Sequence, residues 1–256
     1  MIARCMSSVN RPAGKDGASI WPVFLPVVPL GAARGGYLEA LMRTNHPLGH
    51  PLLIHSAEAD GSMWELDVAM LSCVRELMGM TDTGLKFGLN VSAVTVQDNP
   101  KPWLAHLKGL GDSGGQRLVV ELTETAVHRN PKRTLAFVDA CRDIGAAIAV
   151  DDYDANTFDD DLVYQVAPDY IKVGDAWEAG DVSAIGNRLR SSLDRIANLG
   201  VNDVVVEWID SEARKTLAEA YGVRHLQGMY MAPHCDVDDV LSSFGWRRPG
   251  LRMANA

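Results

Sequence analysis

A series of short apolar runs in this sequence ends, one after another, in groups that can do chemistry. "KFGLN" closes on Asn90, "RLVVE" on Glu121 and "AAIAVDD" on Asp151 and Asp152. "PDYIKV" carries Lys172, "DVVVE" closes on Glu207 and "HLQG" carries Gln227. Carboxylates converging on one place repel and raise one another's pKa unless cations sit among them. Hard divalent ions such as Mg²⁺ or Mn²⁺ accept carboxylate and amide oxygens, and the set holds no histidine or cysteine that would point to zinc. Adjacent Asp151 and Asp152 suit a shared site if a turn breaks the strand alternation there, so that one carboxylate can bridge two ions. Two such ions, roughly 3.5–4 Å apart, can activate a water, bind a scissile phosphate and stabilise the leaving oxygen. Lys172 then supplies a point charge beside the water or a phosphate oxygen. No side chain stands out as a covalent nucleophile, so a metal-bound hydroxide is the simpler attacking species.

Taken singly, each of these residues has a plainer reading. Glu121 or Glu207 alone is a solvated strand end, Asn90 a turn former, and Lys172 an exposed amine. Asp151 and Asp152 could open a charged loop running through Asp154 and Asp159 to Asp161. Their recurrence at matching strand ends is what favours a metal site, because the C-terminal rim is where barrel enzymes keep their chemistry.

The elements needed to position such a rim are present. Strands are expected at 86–90, 117–121, 147–151, 170–173, 203–207 and 225–227, with two more upstream at 23–28 and 37–42. Helices are expected near 63–78, 101–109, 131–144, 159–166, 184–199, 211–221 and 236–243. Pro131 sits at a first helical turn, Gly145 and Gly222 where helices stop, and Asp236 at an N-cap. The strands are almost wholly apolar, as when both faces are covered. Eight strands alternating with helices point to a closed, TIM-like (β/α) barrel rather than an open doubly wound sheet. No GxGxxG or GxxxxGK[ST] loop follows any strand, which removes the simplest dinucleotide-fold and P-loop readings.

At 256 residues the chain suits one barrel domain, read as 19–248 between a flexible lead-in at 1–18 and a tail at 249–256. A formal charge of −9 argues against long nucleic acid or an anionic membrane as partner, though not against a small phosphate ligand near metal ions. Cys5, Cys73, Cys141 and Cys235 form no CxxC pair and read as reduced thiols of a cytoplasmic protein. The apolar stretch Ile20–Leu30 holds three prolines and is too short for a membrane span.

The ordered segments resemble the EAL-domain family of cyclic di-GMP phosphodiesterases over about residues 22–245. Glu39-Ala40-Leu41 spells the family's triplet inside "YLEALMR", and "FLPVVPL", fifteen residues before Glu39, resembles its FQPIVxL strand. "LNVSA" resembles the NLS segment, "VVELTET" the ExTE segment and "IAVDDY" the DDF segment. "APDYIKV" is similar to PDYLKID, "VVVEWID" to EGVE and "LQGMYMAP" to QGYxFxxP. The resemblance implies that Glu39, Asn90, Glu121 and Asp151 bind one metal ion, and that Asp151, Asp152 and Glu207 bind a second. It implies that Lys172 holds or activates the attacking water, with Glu207 beside it. Arg43 would contact a substrate phosphate, while Gln227 and Asp210 would serve the nucleotide pocket. The implied reaction opens cyclic di-GMP to linear pGpG in a homodimer, while the sequence leaves the regulatory input open between a regulatory protein partner and expression.

The chain also departs from the family. Both glycines of the DFGTGYSS-like run are replaced, by Asp154 and Asn156. Leu25 stands for the glutamine of QPI, and Asp210 for the second carboxylate of EGVE. His46, His50 and His55 lie on a segment read as a proline-broken loop and are taken as structural or surface residues. These departures keep two rivals in play: a barrel that binds cyclic di-GMP without cleaving it, and a ligand-independent interaction domain.

Overall fold

The computed structural model describes residues 19–47, 49–81, 84–123, 129–153, 159–174 and 182–244. The lead-in, the tail beyond 244 and loop residues 154–158, with Asp154 and Asn156, lie outside these described residues.

Eight strands close into a barrel in sequence order. They are β1 (Ile20–Pro29), β2 (Tyr37–Thr44), β3 (Phe87–Val91), β4 (Leu118–Leu122), β5 (Ala147–Val150), β6 (Tyr170–Val173), β7 (Val204–Val206) and β8 (His225–Gln227). β1 runs antiparallel to both its neighbours, β2 and β8, while every other pair is parallel. The expected strands are all present, with ends moved by at most three residues.

The apolar character of the strands has two separate causes. Leu118, Val120, Ile148, Val150, Ile171 and Val206 belong to the large core beneath the outer helices. Alternate residues on the same strands point the other way. Val27, Tyr37, Val119, Ala149, Tyr170 and Val205 form a small second core inside the barrel. Tyr170 packs edge-on against both Tyr37 and His225, at centroid distances of 5.5 and 5.6 Å.

The helices follow the local chemistry. Asn130 caps the helix Pro131–Arg142 through Arg133 N–H, and Asp236 makes a reciprocal capping box with Asp239 ahead of Val237–Ser243. Met63–Met78 forms the expected helix and buries Leu66, Met70, Leu71, Val74 and Leu77, with Asp67 inside that apolar face. We label Gly49–Ala59 α1 and Met63–Met78 α2. Pro100–Lys108, Asp160–Val166, Val182–Asn198 and Glu212–Ala220 occupy the other expected helical positions.

Contrary to expectation, the segment carrying His50 and His55 is the helix α1, not a proline-broken loop. Pro51 lies in its first turn, where a missing N–H costs no intrahelical bond. Two short helices, Ala93–Gln97 (α3) and Gly111–Gly115, also escape the sequence periodicity because one turn is too brief to display it.

Candidate active site

The pleat builds the site. Two residues beyond the inner core residue of each strand lies the next inward side chain. Tyr37 is followed in this way by Glu39, Val119 by Glu121, Ala149 by Asp151, Tyr170 by Lys172 and Val205 by Glu207. A polar layer therefore sits directly on an apolar floor, at the C-terminal ends of the parallel strands.

Lys172 is the hub of that layer, and it is 1% exposed. Its Nζ lies 2.8 Å from Glu121 Oε2, 2.8 Å from Asp151 Oδ1, 3.0 Å from Glu207 Oε1 and 3.1 Å from Glu39 Oε2. Asn90 Nδ2 donates to Glu39 Oε1 at 2.8 Å, and Gln227 Nε2 donates to Glu39 Oε2 at 2.7 Å. Glu121 is wholly buried, so the reading of a solvated strand end does not hold for it. Its Oε1 has no hydrogen-bond partner among the described residues. Gly88 makes room for that oxygen, since a Cβ at position 88 would stand 2.1 Å from it.

Asp151 and Asp152 face the site together because the backbone kinks between them. Asp152 adopts φ 50°, a left-handed conformation that aspartate tolerates better than most residues. The kink is pinned on both sides: Asp151 N–H donates to Leu122 O, and Tyr153 N–H donates to Lys172 O, each at 2.9 Å. Two acidic triads result, Glu39–Glu121–Asp151 and Asp151–Asp152–Glu207, each with one oxygen per residue within 4.8 Å of the others.

The electrostatics follow from four carboxylates facing one ammonium. Burial and then the charge of Glu39 push Glu121 well above the usual carboxylate range, against the pull of Lys172. Burial also raises Glu207 to about 8, with Lys172 opposing it and Asp151 and Glu39 adding to it. Burial works the same way on Glu39, but Lys172 and the two amide donors outweigh it, so Glu39 lies below its ordinary value. Burial alone would lower Lys172, yet the carboxylates, Asp151 foremost, hold it well above the usual lysine range. The cluster carries more negative charge than its lysine can neutralise, and its donors are oxygens. This is the charge and ligand chemistry of a hard divalent cation site.

Two cavities flank the triads. The larger, about 450 Å³, reaches from Lys172 and Glu207 past Leu25 and Gln227 to Trp208 and Met229. The smaller, about 330 Å³, lies over β2 and α1 and is lined by Met42, His50, Asp67 and Asn90. Arg43, Asp151 and Asp152 border both. His50 lines the smaller cavity, and burial and then Arg43 hold it below its usual value.

All of the sequence-derived site residues border one of these cavities or the Lys172 cluster, though not equally. Glu39, Asn90, Glu121, Asp151, Lys172, Glu207 and Gln227 form one connected network, and Asp152 joins through its triad. Asp210 stands apart at the rim, exposed and paired with Arg214 at 3.1 Å. Two residues were not singled out from the sequence. Asp67 anchors the turn after Asn90, and its signal is a carboxylate inside the apolar face of α2. Trp208 stands at the mouth of the larger cavity, and its signal is a tryptophan at the glycine of the EGVE pattern.

Solved structures share this architecture at low identity. The PaMucR phosphodiesterase in complex with c-di-GMP matches with a TM-score of 0.75 at 16% identity, over 93% of this chain and 98% of that one. The FimX EAL domain from Pseudomonas aeruginosa bound to c-di-GMP matches with a TM-score of 0.72 at 17% identity, over 93% and 98%. The YkuI protein of Bacillus subtilis, in complex with c-di-GMP and calcium, matches with a TM-score of 0.70 at 18% identity. That match covers 91% of this chain and 57% of that one. No curated protein matches the chain in sequence. The family model described as EAL domain matches residues 16–234, so the barrel, its acidic rim and its sequence together make this chain a member of the EAL-domain family.

Proposed function

We propose that the chain is a metal-dependent phosphodiesterase that opens one phosphodiester of cyclic di-GMP to give linear pGpG. The observation that carries this reading is the pair of acidic triads sharing Asp151 around the Lys172 ammonium. Glu39, Asn90, Glu121 and Asp151 would hold one divalent ion, and Asp151, Asp152 and Glu207 a second, with Mg²⁺ or Mn²⁺ suiting these oxygen donors. Bound there, the ions would lower the pKa of a water and offset charge on the phosphate. Asp151 is the residue that both sets need. Lys172 supplies a fixed ammonium beside the attacking water or a phosphate oxygen, within reach of Glu207. Arg43, on the border of both cavities, supplies a guanidinium for a non-reacting phosphate oxygen. Gln227 and Asp210 line the larger cavity and serve the nucleotide. Water adds to phosphorus, one phosphorus–ribose oxygen bond breaks, and the departing oxygen takes up a proton.

The test is hydrolysis of cyclic di-GMP, followed as the linear product with Mg²⁺, with Mn²⁺ and with chelator. Turnover is expected with either ion, and is expected to vanish with chelator and in Glu39→Ala. Undiminished turnover in Glu39→Ala would show that the first ligand set is wrong. A second reading, a receptor that holds the dinucleotide without cleaving it, is favoured by Leu25. This apolar side chain pairs with Glu39 in the β1–β2 register, where the family pattern has glutamine. A folded chain that binds but gives no product beside an active control would select that receptor. In either case the setting we propose is a cytoplasmic homodimer open to a regulatory partner; among the described residues no helix is long and apolar enough to cross a membrane.

A further inference from the structure

The strand β7 ends as β5 does, with a carboxylate followed by a left-handed residue. After Asp151 that residue is Asp152, whose short side chain completes a triad. After Glu207 it is Trp208, at φ 56°. A bulky aromatic residue in this region is a genuine outlier that persists only where its surroundings enforce it. Here the enforcement is visible. Glu207 N–H donates to Val173 O at 3.0 Å, and Ile209 N–H donates to Gln227 O at 3.0 Å, so the neighbours of Trp208 are tied to β6 and β8. The Trp208 carbonyl accepts a bond from Arg214 Nη1 at 2.8 Å.

The indole is placed as well as its backbone. Its pyrrole edge rests over Gly174, where an added Cβ would stand 2.8 Å from Nε1 and 3.0 Å from Cδ1. The same Cβ would stand 3.3 Å from Glu207 Oε2, so the bare backbone at 174 makes room for the carboxylate and the ring together. In the patterns quoted above, the residue at Trp208 is the glycine of EGVE, and the residue at Gly174 is the last aspartate of PDYLKID. The small and large positions have exchanged, so that the indole takes up room beside Glu207. Yet, unlike the fully buried Trp103, Trp208 is 67% exposed. It borders the cavity of about 450 Å³ that also holds Lys172, Glu207 and Arg43.

A rigid, exposed π-face at the mouth of a cavity whose floor takes phosphate is a platform for a base. We propose that Trp208 is a specificity-determining residue that stacks on one purine of the bound cyclic dinucleotide. This rests on the reading of the site given above, and it concerns binding alone, so it applies to an enzyme and to a receptor alike. Met229, which lines the same cavity, and Tyr230, whose N–H donates to Ile209 O, are exposed too and offer the rival use of the same rim as a protein contact.

The experiment is a calorimetric titration of the full chain with cyclic di-GMP in calcium, the ion that accompanies c-di-GMP in the YkuI complex. Wild type is compared with Trp208→Gly and Trp208→Asn, both compatible with positive φ, and with Trp208→Phe. Thermal midpoints at or above that of wild type establish that the variants fold. The Gly and Asn variants are expected to weaken binding about tenfold, within the range for loss of one base–aromatic stack. Trp208→Phe is expected to stay within about threefold of wild type. It is also expected to lose the ligand-induced quenching of indole fluorescence. Wild-type affinity in the Gly and Asn variants would overturn the inference and leave the reading of the site standing. The same result with changed self-association on sedimentation would assign the indole to a protein contact instead. A wild-type chain that does not bind cyclic di-GMP would overturn both.

Discussion

Among the described residues two places bury carboxylates, and they resolve the same electrostatic problem in opposite ways. Beneath the smaller cavity, Asp67 Oδ2 accepts three bonds: Ser92 N–H at 3.0 Å, Ser92 Oγ at 2.7 Å and Thr95 Oγ1 at 2.6 Å. The donors are neutral and come from one turn, so the carboxylate is matched locally and ties α2 to the end of β3. Around Lys172, four carboxylates share one ammonium, and Glu121 Oε1 has no hydrogen-bond partner among the described residues. A carboxylate answered by its neighbours is architecture. Carboxylates in excess of their cation mark a place built for a charge from outside the chain.

The contrast can be broken most decisively at Asp151. Asp151→Asn is expected to lower kcat for cyclic di-GMP by on the order of a thousandfold, because both triads lose the charge and the second oxygen of the carboxylate they share. Its thermal midpoint should not fall, since one charge leaves a crowded site. A midpoint lowered as much as the activity would place Asp151 with the structural carboxylates. Lys172→Met leaves the carboxylates without a counter-charge and is expected to cost about 3–5 kcal/mol in chelator. Thermal or denaturant unfolding should then show a larger gain on adding Mg²⁺ or Mn²⁺ than wild type shows. Equal stability without metal would mean that the ammonium is not what holds the cluster.

At the other place, burial raises Asp67 from 3.8 to about 6, against the bonds from Thr95 and Ser92. A raised native value means that the protonated form favours folding. That contribution is complete below pH 3.8 and is lost as pH rises through about 6. Asp67→Asn keeps an acceptor oxygen without the charge. Its stability relative to wild type should therefore improve between about pH 4 and 7, by at most about 3 kcal/mol. A pH-independent difference in unfolding free energy would remove the buried charge from the account. The smallest expected effect is that of Thr95→Val, about 1 kcal/mol from one lost hydrogen bond, with turnover unchanged. A large loss of turnover in that variant would show that the turn after Asn90 is part of the chemistry.

Much of this was legible before any coordinates. The short, almost wholly apolar runs give the strands, and each site residue ends or interrupts such a run, so eight strands and most of the rim could be read from pattern. Pro131 and Asp236 mark helix starts because capping is a local affair of three or four residues. The helix α1 was missed because Pro51 reads as a breaker unless its place in the first turn is known. Asp67 was missed because its partners, Ser92 and Thr95, are 25 and 28 residues away. Trp208 was passed over because a tryptophan in an apolar run reads as core, and only the fold shows that its ring faces outward.

By itself, the sequence determined which side chains share a face, since alternation along a strand is fixed by backbone geometry. It also determined the donor chemistry, because a set of carboxylates with two amides and one lysine suits hard cations before any distance is known. Only the tertiary structure decided which strand ends meet. Closing the barrel puts β2 beside β3 and β6 beside β7, and so brings Glu39 within 3.1 Å of Lys172, 133 residues away. Only it decided that Asp151 and Asp152 turn the same way, through a left-handed backbone pinned by β4 and β6. Burial and convergence are properties of the closed sheet. They turn six ordinary strand ends into one electrostatic site, because mutual repulsion and desolvation act only when the groups are close and dry.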